Sequence, residues 1–437
     1  SASFQYDALG RSTKTTTSSG DEYTYQYTGD GQLYELTDKN GGSPIRYTYN
    51  YDTIGRLIGT GQTGGTSELW ASYQYDTNNR LTRMNYSIPG VVDNATESFY
   101  YNGDGSKITA DIPNASKGVL KSMALFSNSW ITYSYDDLSR LTQRRVGDIL
   151  DEHYTYLAGS ETGTTTTLPE TYYTTLKGSS TKQCGYRYAY DSRNNITRIT
   201  DLTNSRYWAY QYDKLGQLHY ATDYAANGVA TDRYTYEYDH AGNLTSWKIQ
   251  NDDNTILKES HTYTYGNSEW KDLLTAFDGK SITYDANGNP TKYYNGATMT
   301  WRNGRQLSSY SLGESTYNYE YDVNGLRTRK TNADGGYTEY YIIDGLPVAE
   351  QRHYDSGAEW YTMRYLYDES NNPVGFGMQY PTETKWENYY FAKNVQGDIV
   401  AIYRYDYNAS TQKPYGTLIA TYQYDPWGNP RGIKDAS

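Results

Sequence analysis

Residues 49–57 read Tyr-Asn-Tyr-Asp-Thr-Ile-Gly-Arg-Leu. The first four residues form a pattern, Tyr-x-Tyr-Asp, that occurs ten times in the chain. Two near-copies, Phe4/Tyr6/Asp7 and Ile282/Tyr284/Asp285, replace the first tyrosine by another apolar residue. Recurrence on this scale indicates a repeat array, so the architecture has to be established before any single residue is interpreted as chemistry.

Each repeat is interpreted as a β-hairpin. The two tyrosines alternate with period two, which places both rings on one face of a half-buried strand. The aspartate then opens a turn in which its carboxylate can accept backbone N–H groups. Three residues later a backbone with positive φ is expected, and of the twelve repeats seven have glycine there and three have asparagine. The return strand begins with a leucine, such as Leu57, that is expected to face the tyrosines.

The spacing of the repeats predicts the fold class. The repeat aspartates Asp7, Asp30, Asp52 and Asp76 are 23, 22 and 24 residues apart. Two strands per repeat would give one continuous antiparallel sheet of about forty strands. Because strands twist, a sheet of that size must curl or coil. We therefore predict an all-β fold in which a long antiparallel β-hairpin array spirals into a hollow or C-shaped β-shell.

Six repeats define the predicted structural site, in which the tyrosines form the wall and the aspartate and glycine form the turn. The residues are Tyr49, Tyr51, Asp52, Gly55, Tyr73, Tyr75, Asp76, Tyr210, Tyr212, Asp213, Gly216, Tyr236, Tyr238, Asp239, Gly242, Tyr319, Tyr321, Asp322, Gly325, Tyr422, Tyr424, Asp425 and Gly428.

The composition supports a sheet covered by tyrosine and excludes several classes of function. Tyrosine accounts for 55 of the 437 residues, whereas hydrophobic residues in total make up only 36%. Each tyrosine ring can bury about 150–250 Å² and still bind water through its hydroxyl. The net charge of −12 argues against nucleic acid as a partner. No stretch is long and apolar enough for a transmembrane segment.

The array is expected to form a single β-shell segment over residues 1–437. Two stretches, at about 86–130 and 145–185, depart from the rhythm and are predicted to hold long loops or an insertion. Because the chain begins inside a repeat, it is expected to be a piece of something longer. Cys184 is the only cysteine, so no intrachain disulfide can form and the compartment stays open.

We find no sequence signature of an enzyme. None of the five histidines has a metal-ligand spacing, and Cys184 has no visible histidine partner. Residues 285–289 and 102–105 resemble oxygen-rich calcium loops, but their Asp, Asn and Gly also suit tight turns, and neither completes an EF-hand. We therefore predict no catalytic, metal or cofactor site, with calcium as the alternative cofactor.

The chain resembles proteins of the RHS/YD-repeat family. The resemblance rests on the Tyr-Asp repeats, on YRYAYDSRNNITRITD at 186–201, on ITYDANGNP at 282–290 with TWRNGRQL at 300–307, and on residues 388–430. It implies a hollow β-shell, or cocoon, related to the shells of insecticidal toxin complexes and of teneurins. In bacterial members this shell encloses a C-terminal toxic polypeptide. The stretches look most like bacterial surface or secreted members of Gram-positive type.

The family's C-terminal core should follow soon after Pro430, whereas this sequence ends at Ser437. The run Asp425-Pro426-Trp427-Gly428 superficially resembles the self-cleavage site of toxin-carrying members. Its setting is that of an ordinary repeat turn, and we interpret it as one. The C-terminal core and the cargo are therefore expected to be absent.

The resemblance implies a secreted or cell-surface, non-enzymatic shell segment that encapsulates a toxin-like polypeptide cargo. The alternative is an extracellular adhesion module that binds a carbohydrate, a protein or another cell-surface partner through exposed rows of tyrosine and tryptophan. Clustering of the nine tryptophans on an outer face would favour that alternative.

Overall fold

The computed structural model describes residues 2–435 except 18–19, 41–42, 66–67, 107, 109, 114, 126–128 and 252–255. These residues form 37 β-strands. Within this part of the chain there is no helix, and therefore none that is long and apolar enough to cross a membrane. The prediction of an all-β fold is confirmed.

The strands follow one another closely along the chain. The strands before residue 136 are β1 (Ala2–Tyr6), β2 (Ser12–Thr17), β3 (Glu22–Tyr27), β4 (Leu33–Asp38), β5 (Ile45–Tyr51), β6 (Leu57–Thr63), β7 (Leu69–Tyr75), β8 (Leu81–Ile88), β9 (Val92–Tyr101), β10 (Leu120–Ala124) and β11 (Trp130–Tyr135). The middle strands are β12 (Leu141–Val146), β13 (Leu150–Ala158), β14 (Thr165–Leu176), β15 (Lys182–Tyr190), β16 (Ile196–Asp201), β17 (Tyr207–Tyr212), β18 (Leu218–Tyr224), β19 (Ala230–Tyr238), β20 (Leu244–Gln250), β21 (Leu257–Thr264), β22 (Ala276–Phe277), β23 (Lys280–Ser281), β24 (Thr283–Tyr284) and β25 (Pro290–Lys292). The last strands are β26 (Thr298–Arg302), β27 (Gln306–Leu312), β28 (Ser315–Tyr321), β29 (Arg327–Thr331), β30 (Tyr337–Ile343), β31 (Leu346–His353), β32 (Glu359–Tyr367), β33 (Pro373–Gln379), β34 (Glu387–Lys393), β35 (Ile399–Asn408), β36 (Lys413–Tyr424) and β37 (Pro430–Asp435).

Consecutive strands pair in antiparallel fashion, as the repeat pattern predicts. Among the described residues β1–β23 belong to one sheet and β24–β37 to a second. The register slips by one residue where a repeat enters its turn: Asn50 lies opposite Gly59, but Tyr51 lies opposite Leu57. This slip is a β-bulge, which bends the strand and increases its local twist. The bulge recurs in the other Tyr-x-Tyr-Asp hairpins, for example at Tyr75.

The chain divides into two compact units, although the sequence predicts one segment. The first unit consists of Ser1–Ala110, Ser122–Trp130 and Thr298–Glu387, and the second of Asp111–Lys121, Ile131–Ala297 and Asn388–Ser437. Each unit therefore joins stretches that are far apart in sequence. A repeat pattern that is nearly uniform along the chain carries no signal for such long-range grouping.

The core of the first unit is formed by hairpins from both ends of its sequence range. Tyr86 and Ile88 of β8 are almost completely buried, as are Ala349 of β31 and Leu366 of β32. Described residues from the ranges 40–69 and 320–345, among them Tyr47 and Tyr341, also line a cavity of about 510 Å³. The stretches 1–110 and 298–387 thus pack into one body.

The second unit contains a cluster of aromatic and aliphatic side chains on β18–β20. Ala221, Tyr236 and Ile249 are buried in this cluster. Leu218 and Leu244, each the first residue of a return strand, pack against it. The prediction that these leucines face the tyrosines is confirmed at both positions.

The expectation of an irregular stretch at 145–185 is wrong. This stretch contains β13, β14 and the beginning of β15, and β14 is 12 residues long. The threonine run at 164–167 favours a strand because β-branched side chains pack well on a pleated surface. Pro169 is accommodated because it lies opposite Tyr156 at a register shift.

The stretch 86–130 is only partly irregular. Strand β8 ends at Ile88 and β9 occupies Val92–Tyr101, so the first third of the stretch is regular. The described residues between Tyr101 and Leu120 contain no strand, in agreement with the predicted long loop.

Candidate functional site: the repeat turn

In eleven of the twelve repeats the aspartate organises a three-residue hairpin loop. In the repeat at 49–57, the N–H of Asp52 donates to the carbonyl of Arg56 at 2.9 Å, and the N–H of Gly55 donates to the carbonyl of Asp52 at 3.0 Å. Oδ1 of Asp52 accepts the backbone N–H groups of Ile54 and Arg56 at 3.0 and 2.9 Å. The carboxylate thus satisfies two backbone donors that the tight loop would otherwise leave unpaired.

The same two carboxylate bonds, to the second and fourth residues after the aspartate, occur in eleven repeats. The aspartates are Asp7, Asp52, Asp76, Asp136, Asp191, Asp213, Asp239, Asp285, Asp322, Asp368 and Asp425. The third residue after each has positive φ, and the seven glycines have values from 78° to 92°. This is the loop in which a type I turn is closed by one left-handed residue.

Two positions in the array differ from the sequence interpretation. The turn at 28–32 is opened by Thr28, not Asp30: the N–H of Gly31 donates to the carbonyl of Thr28, and Thr28 Oγ1 accepts the N–H of Gln32. A short hydroxyl side chain can make this bond in place of a carboxylate. The Tyr-x-Tyr-Asp copy at 403–406 lies inside β35, where Asp406 instead binds Arg404 and Thr417.

The second tyrosine of most repeats connects its hairpin to the preceding one. Its hydroxyl donates to a backbone carbonyl 10–25 residues earlier, at 2.5–3.1 Å. Fourteen such bonds occur among the described residues: Tyr27 to Ser12, Tyr51 to Leu33, Tyr75 to Leu57, Tyr101 to Leu81, Tyr135 to Leu120, Tyr156 to Leu141, Tyr190 to Pro169, Tyr212 to Ile196, Tyr238 to Leu218, Tyr265 to Leu244, Tyr284 to Leu274, Tyr321 to Leu307, Tyr367 to Pro347 and Tyr424 to Ile399.

The first tyrosine of a repeat supplies buried surface. Tyr73 and Tyr236 are 6% and 2% exposed. Burial raises the pKa of both far above the ordinary range for a phenol, and a neighbouring carboxylate, Asp344 or Asp425, adds to the rise. At any physiological pH these rings therefore act as neutral, largely apolar surface.

The arginine four residues after the aspartate has a role that the sequence interpretation missed. Partial burial alone would raise the pKa of Asp52, but the N–H of Arg56, its guanidinium and the N–H of Ile54 outweigh burial and hold the pKa below its usual value. The guanidinium of Arg56 also lies 4.9 Å from the ring centroid of Tyr75 in the next repeat. The recurring Asp-x-x-x-Arg spacing was the available signal.

The same stacking of an arginine on the next tyrosine recurs along the array. Arg80 lies 4.3 Å from Tyr101, and Arg140 lies 4.3 Å from Tyr156. In the repeat at 28–32 this position is occupied by Gln32, and its side-chain amide donates to the carbonyl of Gly55 in the next turn. This position therefore connects neighbouring turns whether or not it carries a charge.

Two of the histidines and the cysteine are engaged in local contacts. His261 is bound through Nδ1 to Asp278 at 2.7 Å, and His153 stacks on Tyr173 at 4.6 Å. Burial raises the pKa of the Cys184 thiol to about 11, which disfavours the reactive thiolate at neutral pH. In the described part of the chain no three His, Cys, Asp or Glu side chains are grouped to hold a metal ion.

The two candidate calcium loops use their carboxylates on backbone groups. Oδ1 of Asp285 accepts the N–H groups of Asn287 and Asn289 at 2.9 Å. Asp104 accepts the N–H groups of Tyr101 and Ser106 at 2.7 and 2.8 Å. The loop at 285–289 is therefore a turn of the kind described above, whereas Asp104 accepts one N–H group from before it in the chain and one from after it.

Four tryptophans are well exposed, namely Trp70, Trp270, Trp360 and Trp427. Trp360 stacks on Tyr354 at 5.5 Å, and Trp427 meets the edge of Tyr236 at 5.6 Å. Among the described residues none of these four indoles is in ring contact with another, so the aromatic row that an adhesion surface would use is not formed by them.

Comparison with known proteins agrees with the repeat geometry. The Teneurin YD-shell family model matches residues 1–162. The crystal structure of TcdB2-TccC3 without its hypervariable C-terminal region superimposes with a TM-score of 0.70 at 15% identity, covering 100% of this chain and 24% of that one. Residues 1–162 thus match a YD-shell family model, and the whole chain has the fold of that shell structure.

Two curated relatives from Bacillus are similar over half of this YD-repeat chain. The tRNA nuclease WapA of Bacillus subtilis strain 168 is 32% identical over 227 residues, which is 50% of this chain and 8% of the relative. The tRNA3(Ser)-specific nuclease WapA of Bacillus spizizenii is 31% identical over 227 residues, with the same coverage. The matched part is thus a small fraction of each relative's length.

Proposed function

We propose that this YD-repeat chain is a structural segment of a shell that shields a toxin-like polypeptide, and that it acts outside the cell, secreted or at the cell surface. The wall itself would carry no catalysis. The shielded polypeptide would be its partner, and the turn and tyrosine residues of the repeats would be the functional residues.

The observation that supports this proposal best is the use of polar groups within the repeat. The hydroxyl of Tyr51 binds the carbonyl of Leu33, and the carboxylate of Asp52 binds Arg56. Arg56 in turn donates to Asn79 of the next repeat at 2.8 Å. The polar groups that recur are those that join one hairpin to the next, which is the requirement of a wall rather than of a reaction centre.

The relatives support placing the toxic activity outside the repeats. Both are named as tRNA nucleases, but only one is named for a particular serine tRNA, while each is 31–32% identical to this chain over 227 residues. A tRNA-binding surface neutralises phosphates with Lys and Arg. A chain of net charge −12 is poorly suited to that task. A shielding role for the repeats accounts for both facts.

The test is limited proteolysis of the natural protein that contains residues 1–437, followed over time by mass spectrometry. We expect the shielded polypeptide to be cut much more slowly in the natural protein than when it is expressed alone. A variant with Tyr212→Phe and Asp213→Ala, which loosens one hairpin junction, should be cut faster. Equal rates for the natural and isolated polypeptides would overturn the proposal, as would cleavage of tRNA by residues 1–437 alone.

A further inference from the structure

One face of β15–β19 in the second unit carries a row of directly opposed side chains. Along it, Tyr188 lies opposite Ile199, Ile199 opposite Trp208, Trp208 opposite Asp223, and Asp223 opposite Asp232. Residues directly opposite one another in antiparallel strands share a face of the sheet. An indole and two carboxylates are thereby brought side by side.

A second row, one step along the same strands, adds two aromatic rings to this face. Tyr210 lies opposite Ala221, and Ala221 lies opposite Tyr234. The ring of Trp208 is 5.4 Å from that of Tyr234 and 6.4 Å from that of Tyr210. Three aromatic rings therefore border the two carboxylates.

A cavity of about 530 Å³ lies over this face. Its other side is formed by residues 394–400 and 422–431 of the same unit. Binding pockets for small groups range from about 300 to 1,000 Å³, so the space accommodates a ligand side chain as well as water.

The two opposed aspartates form a like-charge pair, although each has one cationic partner of its own. Asp223 is bound by Arg206 at 2.6 Å through Oδ2, and Asp232 is bound by Lys258 through Oδ1. The remaining oxygen of each makes no hydrogen bond to any described residue. Like charges directly opposite in a sheet are destabilising, so a cation placed between them would be favoured.

The hydroxyl of Tyr234 gives an independent indication of a ligand. This residue is 5% exposed and lines the cavity, yet its hydroxyl makes no hydrogen bond within the described part of the chain. Burial raises its pKa to about 12, with Arg431 lowering it and Asp232 raising it. A neutral phenol in a cavity is therefore left with an unused donor and acceptor, which costs free energy unless a ligand or water binds it.

The charge of the cavity selects among ligands. Three further aspartates, Asp201, Asp398 and Asp425, line it, whereas among its described lining residues positive charge comes from Arg206 and Arg431 alone. The lining thus has five carboxylates against two guanidinium groups. The fold already shows how a cation is accepted here, since Arg431 lies 5.3 Å from the ring centroid of Tyr234. Aromatic faces with carboxylates attract ammonium and guanidinium groups.

We propose that this cavity binds the ammonium or guanidinium group of a lysine or arginine side chain in a polypeptide. The ligand would lie between Asp223 and Asp232, against the rings of Trp208 and Tyr234. This inference rests on the proposed function in one respect, namely that the polypeptide is the one the shell shields. A basic cargo suits a toxin that acts on tRNA, because such a protein needs positive charge to bind phosphates.

The test is titration of the chain with short Gly-Ser peptides that carry lysine, arginine or glutamine at the same positions, followed by calorimetry at low and high salt. We expect the lysine or arginine peptide to bind and the glutamine peptide not to bind. Asp223→Asn and Asp232→Asn should each weaken binding by about tenfold, since each removes one of the two charges that hold the cation. Tyr234→Phe should weaken it less.

The matched control is Glu237→Gln, which removes one charge from the same strand on the opposite, exposed face. It should leave the affinity unchanged, and equal loss in this variant would overturn the site in favour of attraction to overall charge. Absence of binding by both basic peptides, or tighter binding of a methyl glycoside, would also overturn it. The thermal midpoint of each variant shows that it is folded. If shielding holds in proteolysis but no basic peptide binds, this inference fails alone; if basic peptides bind but shielding is absent, the proposed function fails instead.

Discussion

The hydroxyl of Tyr75 donates a 2.9 Å hydrogen bond to the backbone carbonyl of Leu57, the first residue of the return strand in the preceding hairpin. The same kind of bond occurs fourteen times among the described residues, so many hairpins are joined to the preceding one by a tyrosine hydroxyl. A bulged strand leaves carbonyl groups outside the regular ladder, and the tyrosine hydroxyl satisfies one of them. The Tyr-Asp pair thus has two complementary roles: the aspartate stabilises the turn, and the tyrosine binds that hairpin to the preceding one.

Removing this bond should weaken the wall locally. Tyr75→Phe keeps the ring but leaves the carbonyl of Leu57 without its partner, so we expect the free energy of unfolding to fall by about 1 kcal/mol. Urea unfolding measured by circular dichroism provides the check. The control is Tyr407→Phe, because Tyr407 is 56% exposed and its hydroxyl makes no hydrogen bond to a described residue. Equal losses in both variants would contradict a role for the bond.

The glycine of the turn should be replaceable only at a cost in backbone strain. Gly216 has φ of 85°, and a Cβ added there would meet nothing within 4 Å, so strain rather than a clash is tested. Gly216→Ala should destabilise by about 1–2 kcal/mol, and Gly216→Asn by less, because asparagine tolerates the left-handed region. Gly29→Ala is the matched control, since Gly29 has equal space and no positive φ. Urea denaturation of the three variants measures these differences in the free energy of unfolding. Equal losses in Gly216→Ala and Gly29→Ala would refute the strain argument.

The turn could be predicted from sequence because it is local. Asp52 and Gly55 are three residues apart, and both the carboxylate bonds and the positive φ follow from those side chains. The target of the Tyr75 hydroxyl could not be predicted in this way, because Leu57 lies 18 residues earlier and becomes a neighbour only through strand pairing. For the same reason the opposition of Asp223 and Asp232 required the register of β18 and β19.

The sequence pattern also gave wrong turn positions where a different side chain can open the turn, or where the motif occurs without one. Thr28 opens its turn with a hydroxyl, so a search for aspartate selected Asp30, two residues too late. The copy ending at Asp406 has the motif but no glycine or asparagine three residues on, and it continues as a strand. An aspartate followed three residues later by glycine or asparagine is therefore a better predictor of the turn than the aspartate alone.

The turn aspartates should respond to pH in opposite ways according to their surroundings. The pKa of Asp52 lies below its ordinary value of 3.8, so the stability it contributes is present above that pH and is lost as the pH falls through the lower, folded-state pKa. Burial raises the pKa of Asp322 despite the N–H bonds of Leu326 and Asn324, so ionised Asp322 costs stability as the pH rises through and above 3.8. The two side chains make the same pair of backbone bonds, which makes them a matched pair.

We therefore expect Asp52→Asn to lower the Tm at pH 7 and to have little effect in acid, once Asp52 is protonated in both states. Asp322→Asn should leave the Tm at pH 7 unchanged or raise it, because the amide oxygen can still accept both N–H groups without a buried charge. The Tm of each variant, measured by thermal unfolding from pH 3 to pH 7, distinguishes these two expectations. A drop of equal size in both variants at pH 7 would show that the charge is immaterial.

The last prediction concerns Glu97, which is half-buried, and Arg364, which is buried; both lie in the first unit and carry opposite charges. Burial raises the pKa of Glu97 to about 7, although Arg364 opposes this rise. Burial also lowers the pKa of Arg364 to about 9, and its guanidinium lies 4.1 Å from the ring centroid of Trp386. Each group is thus shifted toward its neutral form despite an opposite charge nearby, so desolvation exceeds their attraction.

For an acid whose folded-state pKa is raised, stability is present below the unfolded pKa and is lost as the pH rises through the folded value of about 7. Glu97→Gln should therefore stabilise the protein by about 1–3 kcal/mol at pH 8 and have little effect at pH 5, where folded Glu97 is already neutral. Urea unfolding at both pH values measures this, with the exposed Glu161→Gln as the control for loss of one charge. If Glu97→Gln instead destabilises at pH 8, attraction between Glu97 and Arg364 outweighs the cost of burying them, and the pair holds the two hairpins together as an ion pair.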